Sequence, residues 1–289
     1  MSWRKVLNQI SYWTLPPGID GMLRSLWFSA EFSPKSTNAD NYQELLEIND
    51  SLLNAYLGKR CFILGTGPSI KKQNLLPLRE EICIAVSNFF VHPDYDHISP
   101  RFHCIAPHHP PITEEAWQKW VGEIAVKTRD STLLFGLSDL ERNRHVERLS
   151  TRNQHYLNFE GTLSGIATSG ISLSRALPPV QSVTVMALYV AIYLGFSKIY
   201  LLGCDHDAIT HLHTSSHFYD ESEHAMVRSG YNENFQADFE ACCRDYIQLW
   251  QQYKTINNYC AGRQVQIYNA TPSSYLDVFP RVLFDDVLA

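Results

Sequence analysis

QSVTVMALYVAIYLGFSKIYLLGCD, residues 181–205, decides the fold of this chain. Residues 181–194 are rich in Val, Ala and Leu and read as a helix. Gly195 breaks the pattern, and residues 198–204 then form the strongest apolar, β-branched and aromatic run in the sequence. A helix leading through a glycine into a buried strand is the unit from which parallel sheets are made.

The same strand signal recurs on both sides. Short apolar runs at 61–64, 82–86, 102–106, 132–137 and 265–268 are separated by longer segments. Residues 42–56 and 233–253 show apolar positions at helical spacing, the latter through Phe235, Phe239, Cys242, Tyr246, Leu249 and Tyr253. Alternating strands and helices predict an α/β protein with a single Rossmann-like, mainly parallel sheet and helices on both faces. We expect this domain to span residues 57–289, preceded by a helical, amphipathic appendage over 1–56. In such a sheet, ligands collect where strands end at their carboxyl side.

The strand ends carry the polar residues. After residues 61–64 comes Gly65-Thr66-Gly67-Pro68-Ser69, a turn in which glycine lets the backbone approach a ligand closely. Ser69 stands where it can cap the next segment or donate to a phosphate. This is neither GxGxxG nor a phosphate loop ending in Lys-Ser, so it could equally be a tight β-to-α turn. The second strand ends at Ser87-Asn88, where an amide can read a base or ribose. The third ends at Ala106-Pro107-His108-His109-Pro110-Pro111, whose imidazoles we expect to be pocket walls. Residues 198–204 run out into Asp205-His206-Asp207, followed by His211, His213, His217, Tyr219 and His224. A histidine there suits a general base, since imidazole titrates near neutrality. Three other readings of that stretch stand beside it: a divalent-cation site, a solvated loop, and a substrate-covering lid that carries the base.

Composition narrows the setting. The 289 residues can bury a large core. Net charge is −6, which gives no global footprint for nucleic acid. Seven cysteines, an odd count with no CxxC pair, point to a reducing cytosol. No apolar run is long enough to span a bilayer. Residues 1–35 interleave Trp3, Trp13, Trp27 and Phe28 with Arg4, Lys5 and Arg24, a mixture suited either to packing on protein or to peripheral contact with a membrane.

Taken together, these motifs resemble a known group. The segment 62–69 followed by Ser87-Asn88, the helix–strand unit 190–205, and Asn269-Ala270-Thr271-Pro272-Ser273-Ser274-Tyr275-Leu276 are similar to bacterial sialyltransferases of glycosyltransferase family 42. They are similar also to the wider group of motility accessory factors and hydroxymethylpterin pyrophosphokinases. The resemblance implies a GT-A-like variant of the sheet and an inverting, metal-independent glycosyltransferase. It implies a CMP-activated nonulosonic (sialic-acid-like) donor, a surface-glycan acceptor, no cofactor, and work at the inner face of the cytoplasmic membrane; whether the chain forms a homo-oligomer stays open. Carried over by motif, Gly65, Thr66, Gly67, Pro68, Ser69, Asn88 and Gly203 would hold the nucleotide, flanked by Gln181, Ser182 and Thr184. The family has Asn where this chain has Thr66, and its phosphate-binding tyrosine falls at Asp207, so Tyr219 would substitute. His217 is the preferred base, His206 the second, with Asp205 orienting the histidine or binding a sugar hydroxyl. Two alternatives stay open: a phosphoryl-transfer enzyme whose Asp205 and Asp207 bind Mg²⁺, and a non-catalytic protein docking through residues 1–35.

Overall fold

In the computed structural model the described residues are 42–109, 112–210, 217–220 and 239–288. The segment 1–35, the linker after it, Pro110, Pro111, His211, His213 and His224 lie outside them. Residues 42–289 make one compact unit.

Seven strands form one sheet: β1 (Arg60–Leu64), β2 (Cys83–Val86), β3 (Phe102–Cys104), β4 (Thr132–Gly136), β5 (Gln154–Leu157), β6 (Lys198–Leu202) and β7 (Gln266–Asn269). Their spatial order is β5-β4-β3-β2-β1-β6-β7, and every neighbouring pair is parallel. The chain therefore builds outward from β1 to β5, then returns to lay β6 on the other side of β1. The order reverses between β1 and β6, where Phe62 pairs with Tyr200 and Leu64 with Leu202.

The strands are mostly apolar because both faces of the sheet are covered. Phe62 and Leu64 of β1 enter one core with Tyr200 and Leu202 of β6. Cys61 and Ile63 enter the opposite core with Ile199 and Leu201. Helix α3 (Glu114–Lys127) packs Trp117, Trp120, Val121 and Ile124 into the first core. Helix α6 (Val183–Tyr193) belongs to the second and is buried at nine of its eleven positions, which explains an apolar pattern without a polar face. The long helix α7 (Phe239–Ala261) adds Leu249, Tyr253, Ile256 and Cys260 to that side.

Three sequence expectations change. Residues 42–56 do not form one helix but a short α1 (Gln43–Glu47) and a 3₁₀ turn, Ile48–Leu52. Beyond it the backbone of Asn54, Tyr56 and Gly58 donates to Tyr193, Leu194 and Gly195, so this stretch is an integral border of the sheet domain. Helix α7 runs eight residues past the expected end at 253. Strand β5 was not expected, because Gln154 and His155 interrupt any apolar run. It is fixed from outside: buried Asn49 donates to the Tyr156 and Leu173 carbonyls at 2.8 and 2.7 Å and pairs with His155 Nδ1 at 2.8 Å. Such a satisfied polar cluster can specify an edge strand that propensity alone does not.

Candidate functional site

The carboxyl ends of β1 and β6 meet at two glycines. The amides of Gly65 and Gly67 donate to the carbonyls of Leu202 and Gly203, both at 2.8 Å. Gly203 has φ +64°, and a Cβ on Gly65 would fall 2.4 Å from its carbonyl oxygen. The glycines are thus required by the approach of two backbone turns to each other. Those two amides are spent inside the protein.

Ser69 and Asp205 complete this junction. The Ser69 amide donates to one carboxylate oxygen at 3.0 Å and its hydroxyl to the other at 2.8 Å. Asp205 therefore caps the 3₁₀ turn Pro68–Lys72, and both residues are buried. Burial pushes the Asp205 carboxyl up from its ordinary value, while the two Ser69 bonds pull it back. Gly67 has no room for a side chain, since its Cβ would lie 1.9 Å from Asp205 Oδ2. Ser69 is a lock on Asp205 here, and Asp205 holds the loop.

A cavity of about 350 Å³ opens over this junction. Thr66, Gly67, Asn88, Ser182, Thr184, Gly203, Asp205, His206, His217 and Tyr219 from the sequence expectations all line it, joined by Asp207 and His109. Such a volume lies within the range of small-ligand pockets. Gln181 does not line it: its amide nitrogen binds Gln248, and its backbone N–H donates to Gln252 on α7 at 3.1 Å. His108 turns away to the Ile112 carbonyl at 2.9 Å, leaving His109 at the wall. Helix α6 points its N-terminus into the cavity, with Ser182 accepting from the Thr184 amide at 3.2 Å. Such an end favours an anion.

The wall beyond β2 is a chain of polar contacts. Asn88 is buried in the 3₁₀ turn Ser87–Val91. Its oxygen accepts from Trp120 Nε1 at 2.6 Å, and its amide donates to the Tyr219 hydroxyl at 2.8 Å. Tyr219 stacks on His217, with ring centres 5.0 Å apart and an 8° tilt. His217 Nδ1 lies 3.2 Å from Thr66 Oγ1. Between them, Phe218 is buried against Phe89 and His92, and its amide donates to the Thr66 carbonyl at 2.9 Å. One apolar anchor thus sets both His217 and Tyr219 against the first loop.

The other imidazole sits differently. His206 has φ +50°, a left-handed backbone that is uncommon outside glycine. Its Nε2 lies 2.8 Å from the Tyr253 hydroxyl, and its ring meets Trp250 edge-on. Burial pushes its pKa down to about 4, so it is neutral at physiological pH.

No family model and no curated protein matches this chain. Among solved structures, it is similar to the sialyltransferase CstII in complex with a trisaccharide acceptor and CMP. There the identity is 13%, with 78% of this chain and 86% of that one covered and a TM-score of 0.48. A second similar structure is CstII from Campylobacter jejuni with a substrate analogue, cytidine-5′-monophosphate. The identity is 14%, covering 78% and 85%, with a TM-score of 0.45.

Sequence reasoning did not single out Trp120 or Tyr246, both of which line the cavity. Helix α3, which carries Trp120, has a full sequence signature: Thr113 as N-cap, Glu114 and Glu115 in the first turn, and apolar positions at helical spacing. Tyr246 was expected only as one apolar position of a helix. Among the described residues there is no group of three or more metal-ligating side chains, and no helix long and apolar enough to cross a membrane.

Proposed function

We propose that the chain is a glycosyltransferase whose cavity holds the CMP part of a CMP-activated nonulosonic acid, passing the sugar to a glycan hydroxyl. The observation that carries this reading is the cavity's place and lining. It lies at the β1/β6 reversal, with the N-terminus of α6 on one side and the His217–Tyr219 pair on the other. No Lys or Arg is among its described lining residues. Neutral donors and one helix end suit a monophosphate leaving group. The motifs shared with family 42 supply the nucleotide and sugar class.

In this reading the acceptor hydroxyl attacks the anomeric carbon, its proton passes to His217, and the C–O bond to the phosphate breaks. Thr66 Oγ1 faces Nδ1, so a proton held there leaves Nε2 as the nitrogen that accepts. Tyr219 offers a donor to the departing phosphate, and the positive end of the α6 dipole favours its charge. His206 serves less well as the base, because its Nε2 is engaged by Tyr253 and its pKa is low. Asp205 contributes by fixing the loop. The Mg²⁺-dependent alternative would have to draw on Asp205 oxygens that each already accept from Ser69.

The test is His217→Ala. Turnover of a CMP-activated sugar should fall about 10²-fold or more, while CMP affinity stays within about threefold. Undiminished turnover removes His217 from the role.

A further inference from the structure

Asn88 was expected to touch the nucleotide directly, yet both ends of its amide are taken by protein groups. The orientation of that amide is not arbitrary. Indole nitrogen is only ever a donor, so the atom facing Trp120 must be the carbonyl oxygen. The NH₂ then faces Tyr219, whose oxygen accepts. A tyrosine hydroxyl that accepts from Asn88 keeps its own proton for an acceptor other than Asn88. Were the amide turned over, Tyr219 would have to donate to the Asn88 oxygen, and its proton would point into the protein.

We propose that Trp120 is a positioning residue that fixes the polarity of the Trp120–Asn88–Tyr219 chain, and so makes the cavity-lining Tyr219 a hydrogen-bond donor to a group other than Asn88. This rests on the reading of the cavity as a CMP site. The chain is well supported by its surroundings. Trp120 is buried within α3 and packs edge-on against Trp117, with ring centres 5.3 Å apart. Asn88 follows Ser87, which is held at φ +43° while its carbonyl pairs with His103 Nε2 at 2.7 Å. Tyr219 is braced by the buried Phe218 beside it. Neither end of the chain is well placed to drift, so the one freedom left is the flip of the Asn88 amide. The indole N–H removes it.

The experiment has a ligand-free arm and a ligand arm, both on the full chain. The Asn88 side-chain amide resonance, assigned by its loss in Asn88→Ala, is followed in wild type, Tyr219→Phe and Trp120→Phe. It should move in both variants; a signal unmoved in Trp120→Phe overturns the proposal. In the second arm CMP affinity is measured by calorimetry. Trp120→Phe should weaken CMP by about tenfold in the wild-type background and by less than about twofold when Tyr219 is already Phe. Equal losses in both backgrounds mean that Trp120 acts only through packing, which also overturns the proposal. Phenylalanine leaves space behind, so a benzothienylalanine placed at 120 alone provides a variant of nearly the same shape without the N–H. It should reproduce the tenfold loss, and wild-type affinity in it refutes the proposal even if Trp120→Phe is poorly folded. If wild type binds no CMP while the amide signal moves as expected, the CMP reading fails and the fixed polarity of the chain stands.

Discussion

Gly65→Ala tests the junction on which the cavity rests. The new Cβ would sit 2.4 Å from the Gly203 carbonyl oxygen, 2.9 Å from its carbon and 3.0 Å from the Leu202 oxygen. All three are backbone atoms at the end of a central strand, so relief requires one turn to move away from the other. Overpacking of this kind costs about 1–3 kcal/mol. Separating the turns also stretches the hydrogen bonds from Gly65 to Leu202 and from Gly67 to Gly203, each worth about 1 kcal/mol. The sum is about 3–5 kcal/mol, and a domain of this size loses roughly 2–4 °C of Tm per kcal/mol. Calorimetry should therefore show a fall of roughly 10 °C. Gly122→Ala is the matched control, because a Cβ in the middle of α3 meets nothing within 4 Å. It should be neutral or raise stability by about 0.5–1 kcal/mol through helix propensity. If Gly65→Ala melted within a degree or two of wild type, the close approach of the two turns would be refuted.

Ser69→Ala should destabilise the fold by about 1.5–3 kcal/mol, since it removes a hydrogen bond to a buried carboxylate; urea titration reads this, and an unchanged midpoint would contradict the lock. A pH series tests the buried imidazoles. Burial pushes His103 and His206 down to about 4, so between about pH 6.5 and 4 the unfolded chain takes up protons there that the folded protein does not. Stability must fall as pH drops through that window. Asp139, pushed up to about 6 by burial, works in the opposite sense between about 6 and 3.8 and partly offsets the fall. His103→Gln, which keeps a donor for the Ser87 carbonyl, should flatten the slope by up to one proton, and parallel wild-type and variant curves would refute the assignment.

How much of this was legible depended on whether a residue's partner is near in sequence or far. Six of the seven strands were visible as apolar runs because most of their residues feed one or other of the two cores. Strand β5 was not, since its stability comes from Asn49, more than a hundred residues away. The same distinction runs through the site. Thr66, Gly203, Asp205 and His206 could be placed at the cavity from the rule that ligands gather at strand ends. Their roles could not, because Ser69 and Asp205 satisfy each other across 136 residues. Gln181 looked equivalent to Ser182 in sequence, yet a helix cap turns successive side chains in different directions, and Gln181 went to α7. His217 was the preferred base among the histidines of that stretch, but nothing in the sequence placed it against Thr66 and Tyr219. What distinguishes it is Phe218, an apolar residue inside a polar stretch that docks in the core and carries its neighbours with it.

The central claim is that the cavity at the β1/β6 reversal is a CMP site, and a thermal-shift comparison of nucleotides tests it most directly. A ligand that binds only the native state stabilises it by about 2.7 kcal/mol at a hundredfold excess over its Kd. CMP should raise Tm by several degrees while UMP, AMP and UDP at the same concentration do not, and the shift should shrink in Tyr219→Phe. No shift with CMP, or equal shifts with every nucleotide, would contradict the account.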